Sequence, residues 1–474
     1  MITDCNKKIF QFQTQNSRSI VAGFNGGDIS SDAGGLLLRQ TEQITGIIKR
    51  FSKCFTDHRD PDLIEHTVEE LVAQRVYALA LGYEDLNDHD QLRNDPLLAV
   101  MVGKDDPTGE NRIRSRDKGK ALAGKSTLNR LELTPARANK DSRYKKITVD
   151  GHAVDDFFVQ VFLESYSLPL STIILDLDAT DDPLYGHQLG RFFHGYYNNY
   201  CYLPLYIFCG EHLLCARLRP SDIDASAGSI KELDRIVRQI RNRWPAVRVI
   251  IRGDSDFCRE HIMVWCEGNY VDYVLGLAKN QRLKREIAAE IQEAKKLYEQ
   301  AGQAARVFKD FEYQTLESWS RPRRVIGKAE YLSKGENPRF VVTSLLADEF
   351  DARTLYEDTY CGRGDMENRI KEQQLYLFAD RTSCATMRAN QLRLWFSSVA
   401  YTLMMAFKRL GLKGTELAKA QCHTIRLKLL KIGAHVKVTV RKVWVWLSQS
   451  YPYQQLFRQV YENLYRLCRL GLRC

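Results

Sequence analysis

The sequence has 474 residues, of which 44% are hydrophobic and 27% are charged. This length and balance predict a globular protein of two or three domains and exclude an intrinsically disordered chain. No run of eighteen apolar residues is present and the first residues lack an apolar signal core, so we expect a cytoplasmic protein with no membrane partner. The twelve cysteines contain no C-x-x-C pair, which argues against a zinc ribbon.

The formal net charge of +10 is unevenly distributed along the chain. Residues 381–474 contain 17 basic and 2 acidic residues, and residues 111–148 contain 12 basic and 3 acidic residues. The rest of the chain is therefore acidic, with a net charge of −14. Clustered cations of this kind neutralise nucleic-acid phosphates, although a solvated basic face would have the same composition.

In the N-terminal part, the clearest element is a helix predicted over 67–81. Thr67 and Glu70 form a capping-box pattern, apolar residues recur on one face, and Gly82 is suited to end the helix. A second short helix is predicted over 85–93. The pair has the spacing of a DNA-binding helix-turn-helix and equally that of an ordinary helical hairpin. Residues 1–150 are interpreted as a mostly helical DNA-binding region.

Residues 119–126 (GKALAGKS) match the phosphate-binding pattern G-x-x-x-x-G-K-S/T. That pattern binds phosphates only between a buried strand and a helix. The preceding residues 111–118 (NRIRSRDK) are too polar for a buried strand. We therefore expect no ATP site here.

From residue 165 onward, apolar runs alternate with amphipathic segments, which predicts an α/β fold with strands in both directions. The predicted strands lie at 172–178, 202–208, 212–218, 247–252 and 273–277, with a helix over 230–244. A charged helix and three β-like runs follow, over 306–315, 323–332 and 339–345. The predicted divisions are a core over 165–282, a β-rich insertion over 283–350, a helical end of the core over 351–410 and a basic C-terminal region over 411–474.

Three acidic residues lie where chemistry is plausible. Asp178 ends the strand 172–178, Asp254 follows the strand 247–252, and Glu367 shares a predicted helical face with Tyr360 and Arg363. Other carboxylates compete for these roles, namely Asp176, Asp181, Asp182 and Asp256. Converging carboxylates would hold Mg2+ or Mn2+, and a pair of such ions supports phosphodiester chemistry. The alternative is that each carboxylate is solvated in a surface loop.

Three blocks resemble bacterial insertion-sequence DDE transposases of the 1380 group, related to a broader class with a Y-x2-R-x3-E signature. They are 176–183 (DLDATDDP) with 186–188 (GHQ), 252–257 (RGDSDF) and 360–367 (YCGRGDME). The likeness extends over nearly the whole chain, including 127–132 (TLNRLE). It implies an RNase H-like catalytic core with a β-rich insertion, and a bacterial protein that is nucleoid-associated when bound to DNA.

The resemblance implies that Asp178, Asp254 and Glu367 are both the catalytic triad and the ligands of two divalent ions. The broader class has a lysine seven positions after the glutamate, whereas this chain has Gln374 and, nearby, Lys371. The implied reaction is strand cleavage at terminal inverted repeats and strand transfer into target DNA, by a homodimer on paired ends.

Five residues are predicted to contact DNA. They are Tyr360, Arg363, Lys371, Trp319 and Arg252. In related transposases an aromatic residue of the insertion stacks on an extruded base, and Trp319 is the candidate here; equally, it would pack in a small core of the insertion. Two other functions are kept open: a related two-metal nuclease or resolvase, and a catalytically inactive DNA-binding protein.

Overall fold

The computed structural model describes residues 9–469. The chain divides into two compact units, one formed by the residues up to Val149 together with those from Val399 onward, the other by Asp150–Ser398. In the part of the chain that the structure describes, no helix is long and apolar enough to cross a membrane.

The first segment, up to Val149, combines short strands with helices. Its elements are β1 (Ile9–Gln15), β2 (Arg18–Gly23), β3 (Asp28–Ser30), α1 (Gly35–Thr45), α2 (Ile47–Ser52), β4 (Phe55–Asp57), α3 (Val68–Leu81), α4 (His89–Leu92), α5 (Pro96–Val102), α6 (Lys125–Glu132) and β5 (Ile147–Val149). The capping box of Thr67 and Glu70 is present at the start of α3, and Gly82 ends it in the left-handed conformation. The predicted helix 67–81 is confirmed, because local capping signals define both of its ends.

The second predicted helix, over 85–93, is shorter than expected. The chain forms a 3-10 turn over Leu86–Asp88 and then only four helical residues in α4. The Asp95 side chain accepts hydrogen bonds from the backbone N–H groups of Leu97 and Leu98, and this cap starts α5 instead. Residues 111–124, all of them described, contain no strand before α6, so the GKALAGKS segment lacks the setting of a phosphate-binding loop.

The second unit, Asp150–Ser398, holds most of the strands. Its elements are α7 (Gly151–Glu164), β6 (Thr172–Ala179), β7 (Asp182–Pro183), β8 (Phe192–His194), β9 (Asn199–Tyr202), β10 (Leu205–Cys209), β11 (His212–Arg217), α8 (Ser229–Arg243), β12 (Arg248–Gly253), α9 (Glu260–Gly268), β13 (Asp272–Leu277), α10 (Gln281–Glu286), α11 (Ala288–Ala301), β14 (Ala305–Tyr313), β15 (Arg323–Leu332), β16 (Gly335–Glu336), β17 (Arg339–Thr343), α12 (Ala352–Thr354), a π-helical turn (Leu355–Tyr360), a 3-10 turn (Cys361–Arg363), α13 (Gly364–Leu377) and α14 (Met387–Gly411), which continues past the boundary.

A nine-stranded mixed sheet, formed within residues 150–398, organises this unit. The strand order is β11-β10-β6-β12-β13-β17-β15-β14, with β16 paired to β15. Strands β6, β12 and β13 are parallel, and β10 and β11 form an antiparallel hairpin at one side. The predicted α/β fold with mixed strand directions is confirmed.

The β-rich segment after residue 283 continues this sheet. Strand β17 pairs antiparallel with β13, and β15 and β14 follow outward. One core lies against the sheet and includes the inward residues of α8 at helical spacing: Leu233, Ile236, Val237 and Ile240. Strands β6 and β12, whose carboxyl ends lead to Asp178 and Asp254, are therefore central in the sheet and covered by this core.

The last segment contains α15 (Cys422–Ile425), a π-helical turn (Arg426–Leu430), β18 (Ala434–Val438), β19 (Val443–Leu447) and α16 (Gln454–Arg469). Strand β18 pairs with β3, and Ala33, Leu97 and Ile432 share one apolar cluster. The basic C-terminal residues therefore fold together with the N-terminal segment.

Candidate active site

Asp178 and Asp254 lie at the carboxyl ends of adjacent parallel strands. In the pairing of β6 with β12, Asp176 is opposite Arg252 and Leu177 is opposite Gly253. Asp178 follows Leu177, and Asp254 follows Gly253. The two candidate carboxylates therefore come directly after one pair of opposed residues. Because parallel strands keep this register, both carboxylates lie at the same edge of the sheet.

The charges of these residues influence each other. Burial raises the pKa of Asp178 to about 7, and repulsion from the Asp254 and Glu367 carboxylates contributes to the same shift. Burial also raises the pKa of Asp254, with repulsion from Asp256 and Glu367 adding to it. Three carboxylates from distant parts of the sequence thus share one electrostatic environment. The structure brings the predicted triad together, while its catalytic role remains a prediction.

Glu367 lies in the first turn of α13, which follows a π-helical turn and a 3-10 turn. Its Oε1 atom is 2.9 Å from Nη2 of Arg363, one helical turn earlier. Burial opposes the charge of Arg363, yet Tyr360 and the neighbouring carboxylates outweigh burial and raise the pKa of the guanidinium. Arg363 is therefore a cation held among acidic groups. The residues Tyr360, Arg363 and Glu367 lie together, as the predicted helical face requires.

The donor set is one that a hard divalent cation prefers, since all three candidates supply carboxylate oxygens. Within residues 9–469, however, no group of three or more His, Cys, Asp or Glu side chains is arranged as a metal-binding cluster. Glu367 is paired with Arg363 instead. Asp178 and Asp254 are the residues that would hold a cation here, with Glu367 joining them once it leaves Arg363.

Arg252, a predicted DNA contact, is buried behind the carboxylates. The residue is 7% exposed, and its Nη2 atom donates to Oδ2 of Asp176 at 2.9 Å. It also donates to the backbone carbonyl of Thr359, just before the Tyr360 segment. A Cβ atom on Gly362 would lie 2.6 Å from its Nη1. Arg252 therefore connects β6 and β12 to the segment that leads into α13.

Tyr360 approaches the backbone of β13. A Cβ atom built on Gly276 would lie 2.5 Å from the Tyr360 hydroxyl oxygen and 3.2 Å from the carbonyl carbon of Asp254. Burial raises the pKa of Tyr360, as does the Asp254 carboxylate. Only glycine leaves room at position 276 for this hydroxyl beside the carboxylates.

Trp319 lies in the interior, with 6% of its surface exposed. Its ring meets Tyr313 edge-on at 5.8 Å, and the Arg323 guanidinium lies 5.5 Å from the ring centre. This packing favours a role for Trp319 in the protein core over stacking on a DNA base. Lys371 differs, because it is exposed on α13 one turn after Glu367.

Gln374 makes contacts that the sequence did not indicate. Its Nε2 atom donates to Oδ1 of Asp182 and to the backbone carbonyl of Asp181, both at 3.1 Å. Burial raises the pKa of Asp182 to about 8. Among the described residues, none hydrogen-bonds to the Oδ2 atom of Asp182. The amide is therefore paired with a buried carboxyl.

Tyr197 and Asn199 also lie beside the triad, although no sequence pattern indicated them. The Tyr197 hydroxyl donates to the carbonyl of Ala179 at 3.4 Å, and the Asn199 amide donates to Oδ2 of Asp181 at 3.2 Å. The available signal was the aromatic composition of this stretch, with six Phe or Tyr residues in 185–200.

Comparisons with known proteins identify the family. The model of the family described as "Transposase DDE domain group 1" matches residues 12–469. A search of curated proteins finds no match. Among solved structures, the chain is similar to a cryo-EM structure of a piggyBac transposase synaptic complex with hairpin DNA, at 12% identity and a TM-score of 0.41, covering 92% of this chain and 85% of that one. The chain belongs to the DDE transposases of domain group 1, and it is an enzyme of DNA cleavage and strand transfer.

Proposed function

We propose that this enzyme is the transposase of an insertion sequence, of the 1380 group, and that Asp178, Asp254 and Glu367 are its catalytic, metal-binding residues. The observation that carries the proposal is the position of Asp178 and Asp254 at the carboxyl ends of β6 and β12, where burial raises the pKa of both carboxyls and the nearby Glu367 carboxylate on α13 adds to both shifts. Burying like charges together is costly unless a cation neutralises them, so the arrangement favours a cation site over a solvated surface.

The proposed core is RNase H-like and consists of the five strands in the order β11-β10-β6-β12-β13. Support comes from the three central parallel strands and the antiparallel hairpin at their side. The carboxylates then lie where ligands bind in open α/β sheets, outside the carboxyl ends of the parallel strands. The remaining strands, β14 to β17, form the insertion between Asp254 and Glu367.

Two divalent ions, Mg2+ or Mn2+, would supply the charge that activates a water or a 3′ hydroxyl and stabilises the leaving oxygen. The chain's own groups do the rest. Asp178 and Asp254 would hold the ions from the strand ends, and Glu367 would complete the set on leaving Arg363. The freed Arg363 guanidinium is then available to bind the scissile phosphate, a role suited to its paired N–H donors.

The proposed partners are the terminal inverted repeats of the element and its target DNA. Lys371 is exposed one turn from Glu367 and would contact a phosphate. The basic segments 111–148 and 381–474 would bind the DNA backbone, with an affinity that falls as salt rises. A homodimer on paired ends is proposed because two ends must be cut together and closed two-fold assemblies are common.

The test compares Glu367→Gln with Asp365→Asn, an exposed carboxylate in the first turn of the same helix. The substrate is DNA carrying the inverted repeats that flank the gene, with Mg2+ or Mn2+. We expect E367Q to abolish cleavage and keep DNA binding, and D365N to retain both. Cleavage by E367Q at the wild-type rate would contradict the assignment. Cleavage by the wild-type enzyme without strand joining would instead indicate a nuclease or resolvase.

A further inference from the structure

A cavity of about 430 Å³ lies between the first turns of α7 and α8 and the carboxyl end of β11. Arg217, the last residue of β11, and Arg219, just beyond it, form part of its wall. In the sheet, Arg217 is opposite Leu205 of β10, and Leu205 is opposite Ala179 of β6. The cavity is therefore at the same edge of the sheet as Asp178, two strands away, or about 10 Å at the usual spacing between strands.

Arg219 brings a positive charge to this cavity without a carboxylate partner. The residue is 6% exposed, and its hydrogen bonds go to the backbone carbonyls of Leu203, Ala225 and Ala227. In the part of the chain that the structure describes, its Nη2 atom has no hydrogen-bond partner. Burial lowers the pKa of Arg219 to about 10. This is the behaviour of a buried cation that its neighbours do not neutralise.

The start of α8 adds further unpaired donors at the same place. Gly228 is the residue before the helix, so this 15-residue helix begins without a side-chain cap, and its first N–H groups favour an anion. Ser229 is fully buried, and none of the described residues hydrogen-bonds to its Oγ atom. Lys231, exposed in the first turn, lines the cavity. The Arg219 Nη1 atom lies 2.6 Å from the carbonyl oxygen of Ala227, directly before Gly228, so the guanidinium adjoins the start of the helix.

The two carboxylates in the cavity wall are already paired. Asp155 accepts a hydrogen bond from Arg217, and Glu232 lies 3.2 Å from the same guanidinium. The lining contains three cations, from arginine and lysine, and these two carboxylates, which gives a net charge of +1. Arg219 and Lys231 are therefore the charges that the paired carboxylates do not neutralise.

We propose that this cavity binds the phosphate group of a small molecule, such as inorganic phosphate or a nucleoside monophosphate, between Arg219 and the start of α8. A phosphate accepts hydrogen bonds both from a guanidinium and from free backbone N–H groups, and its charge compensates the buried cation. The volume of about 430 Å³ is that of a pocket for a small molecule. The burial of Arg219 favours a free phosphorylated molecule over the backbone of a DNA duplex, whose phosphates contact exposed side chains. The inference does not depend on the proposed function.

The test measures the binding of inorganic phosphate to the full-length protein by titration calorimetry. DNA and divalent ions are absent, and chloride keeps the ionic strength constant. The variants are Arg219→Gln and Lys231→Ala, and the matched control is Arg243→Ala, which removes an exposed cation from the last turn of the same helix. Hydrogen exchange of a peptide containing residues 226–233 locates the bound phosphate.

We expect the wild-type protein to bind phosphate and to exchange more slowly at the start of α8 when phosphate is bound. R219Q should lower the affinity for phosphate about tenfold or more, because it removes a charged hydrogen-bond donor. K231A should lower it about two- to fivefold, because this charge is exposed, and R243A should leave it unchanged. K231A removes an exposed side chain, so it tests the cavity even where R219Q lowers stability. The affinity for a DNA duplex should be equal in R219Q and the wild type.

Four results would overturn the inference. They are no binding of phosphate by the wild-type protein, an unchanged affinity for phosphate in both R219Q and K231A, an equal loss in R243A, or a loss of DNA affinity in R219Q when the wild type does not bind phosphate. The last result would assign the cavity to the DNA backbone. Cleavage by E367Q decides the proposed function separately, since none of these measurements involves cleavage.

Discussion

The strongest prediction concerns Arg252, whose loss should destabilise the second unit. Arg252 is 7% exposed and Asp176 is 1% exposed, so their pair is removed from solvent. Substituting Arg252→Ala leaves the Asp176 carboxylate buried without its counter-charge and frees the carbonyl of Thr359. Removing one partner of a buried pair costs about 3–5 kcal/mol. We expect a loss of stability in that range.

Arg248→Ala is the matched control on the same strand. Arg248 pairs with Asp272 at 2.8 Å, but its side chain is 38% exposed. Exposed pairs contribute about 0–1 kcal/mol, because solvent already screens the charges. The two variants thus remove the same chemical group from one strand, at a buried and at an exposed position.

The assay is native-state hydrogen exchange of peptides from β6 and β12. This measurement reads local stability, which suits a chain with two units that need not unfold together. R252A should raise the exchange of both strands far above that of R248A. Burial raises the pKa of Asp176 even beside Arg252, so this carboxyl holds its proton to a higher pH in the folded chain than in the unfolded chain. The penalty in R252A should therefore be small at acidic pH and grow as the pH rises.

A DNA-contacting Arg252 would give the opposite result. R252A would then keep wild-type exchange in β6 and β12 while losing affinity for DNA. That outcome would refute the assignment of Arg252 to the interior scaffold of the site. A parallel measurement of DNA binding on the same variant decides between the two roles.

Two more predictions concern the carboxylates and their support. The pKa of Asp178 is about 7 in the fold and 3.8 for an ordinary aspartate, so folding favours its protonated form and the stability of the metal-free protein should fall between pH 4 and 7. Titration with Mn2+ should show affinity rising up to about pH 7 and levelling above it, and Asp178→Asn should remove this dependence. Gly276→Ala would place a methyl group 2.5 Å from the Tyr360 hydroxyl oxygen and should lower the free energy of unfolding by about 1–3 kcal/mol. The control is Gly268→Ala, which has open space around it and should leave thermal unfolding unchanged. Full stability in G276A would contradict that packing, and Tyr360→Phe in the same background should restore part of any loss.

The central strands were predictable because burial on both faces gives continuous apolar runs. Strand 172–178 is found as β6 and 247–252 as β12, each within one or two residues. Their carboxyl ends indicated Asp178 and Asp254 from local sequence, with Asp176, Asp181, Asp182 and Asp256 as competing candidates. The helical face shared with Tyr360 and Arg363 indicated Glu367, but only the family resemblance implied that this helix, 113 positions after Asp254, belongs with the same strands.

The contacts that depend on distant partners were not predictable. The strands β8 and β9 are three and four residues long and lack alternation, so only their pairing with each other and with β7 defines them. The sequence left base stacking and packing in a small core equally open for Trp319, since nothing in 317–322 shows that Tyr313 and Arg323 cover its ring. Arg252 looked like a DNA contact because basic residues are usually exposed, and its buried partner lies 76 positions earlier.

The glutamine at position 374 fits the neutral state of its partner. Gln374 lies seven residues after Glu367, two turns along the same face of α13. One helix therefore reaches both the edge of the sheet where Asp178 and Asp254 lie and Asp182 in β7. The pKa of Asp182, raised to about 8, keeps that carboxyl protonated at neutral pH, and a neutral amide pairs with it without burying a charge. A lysine there would bring a cation into a buried site. A phosphate contact in this region is therefore expected from Lys371, which is exposed and one turn from Glu367.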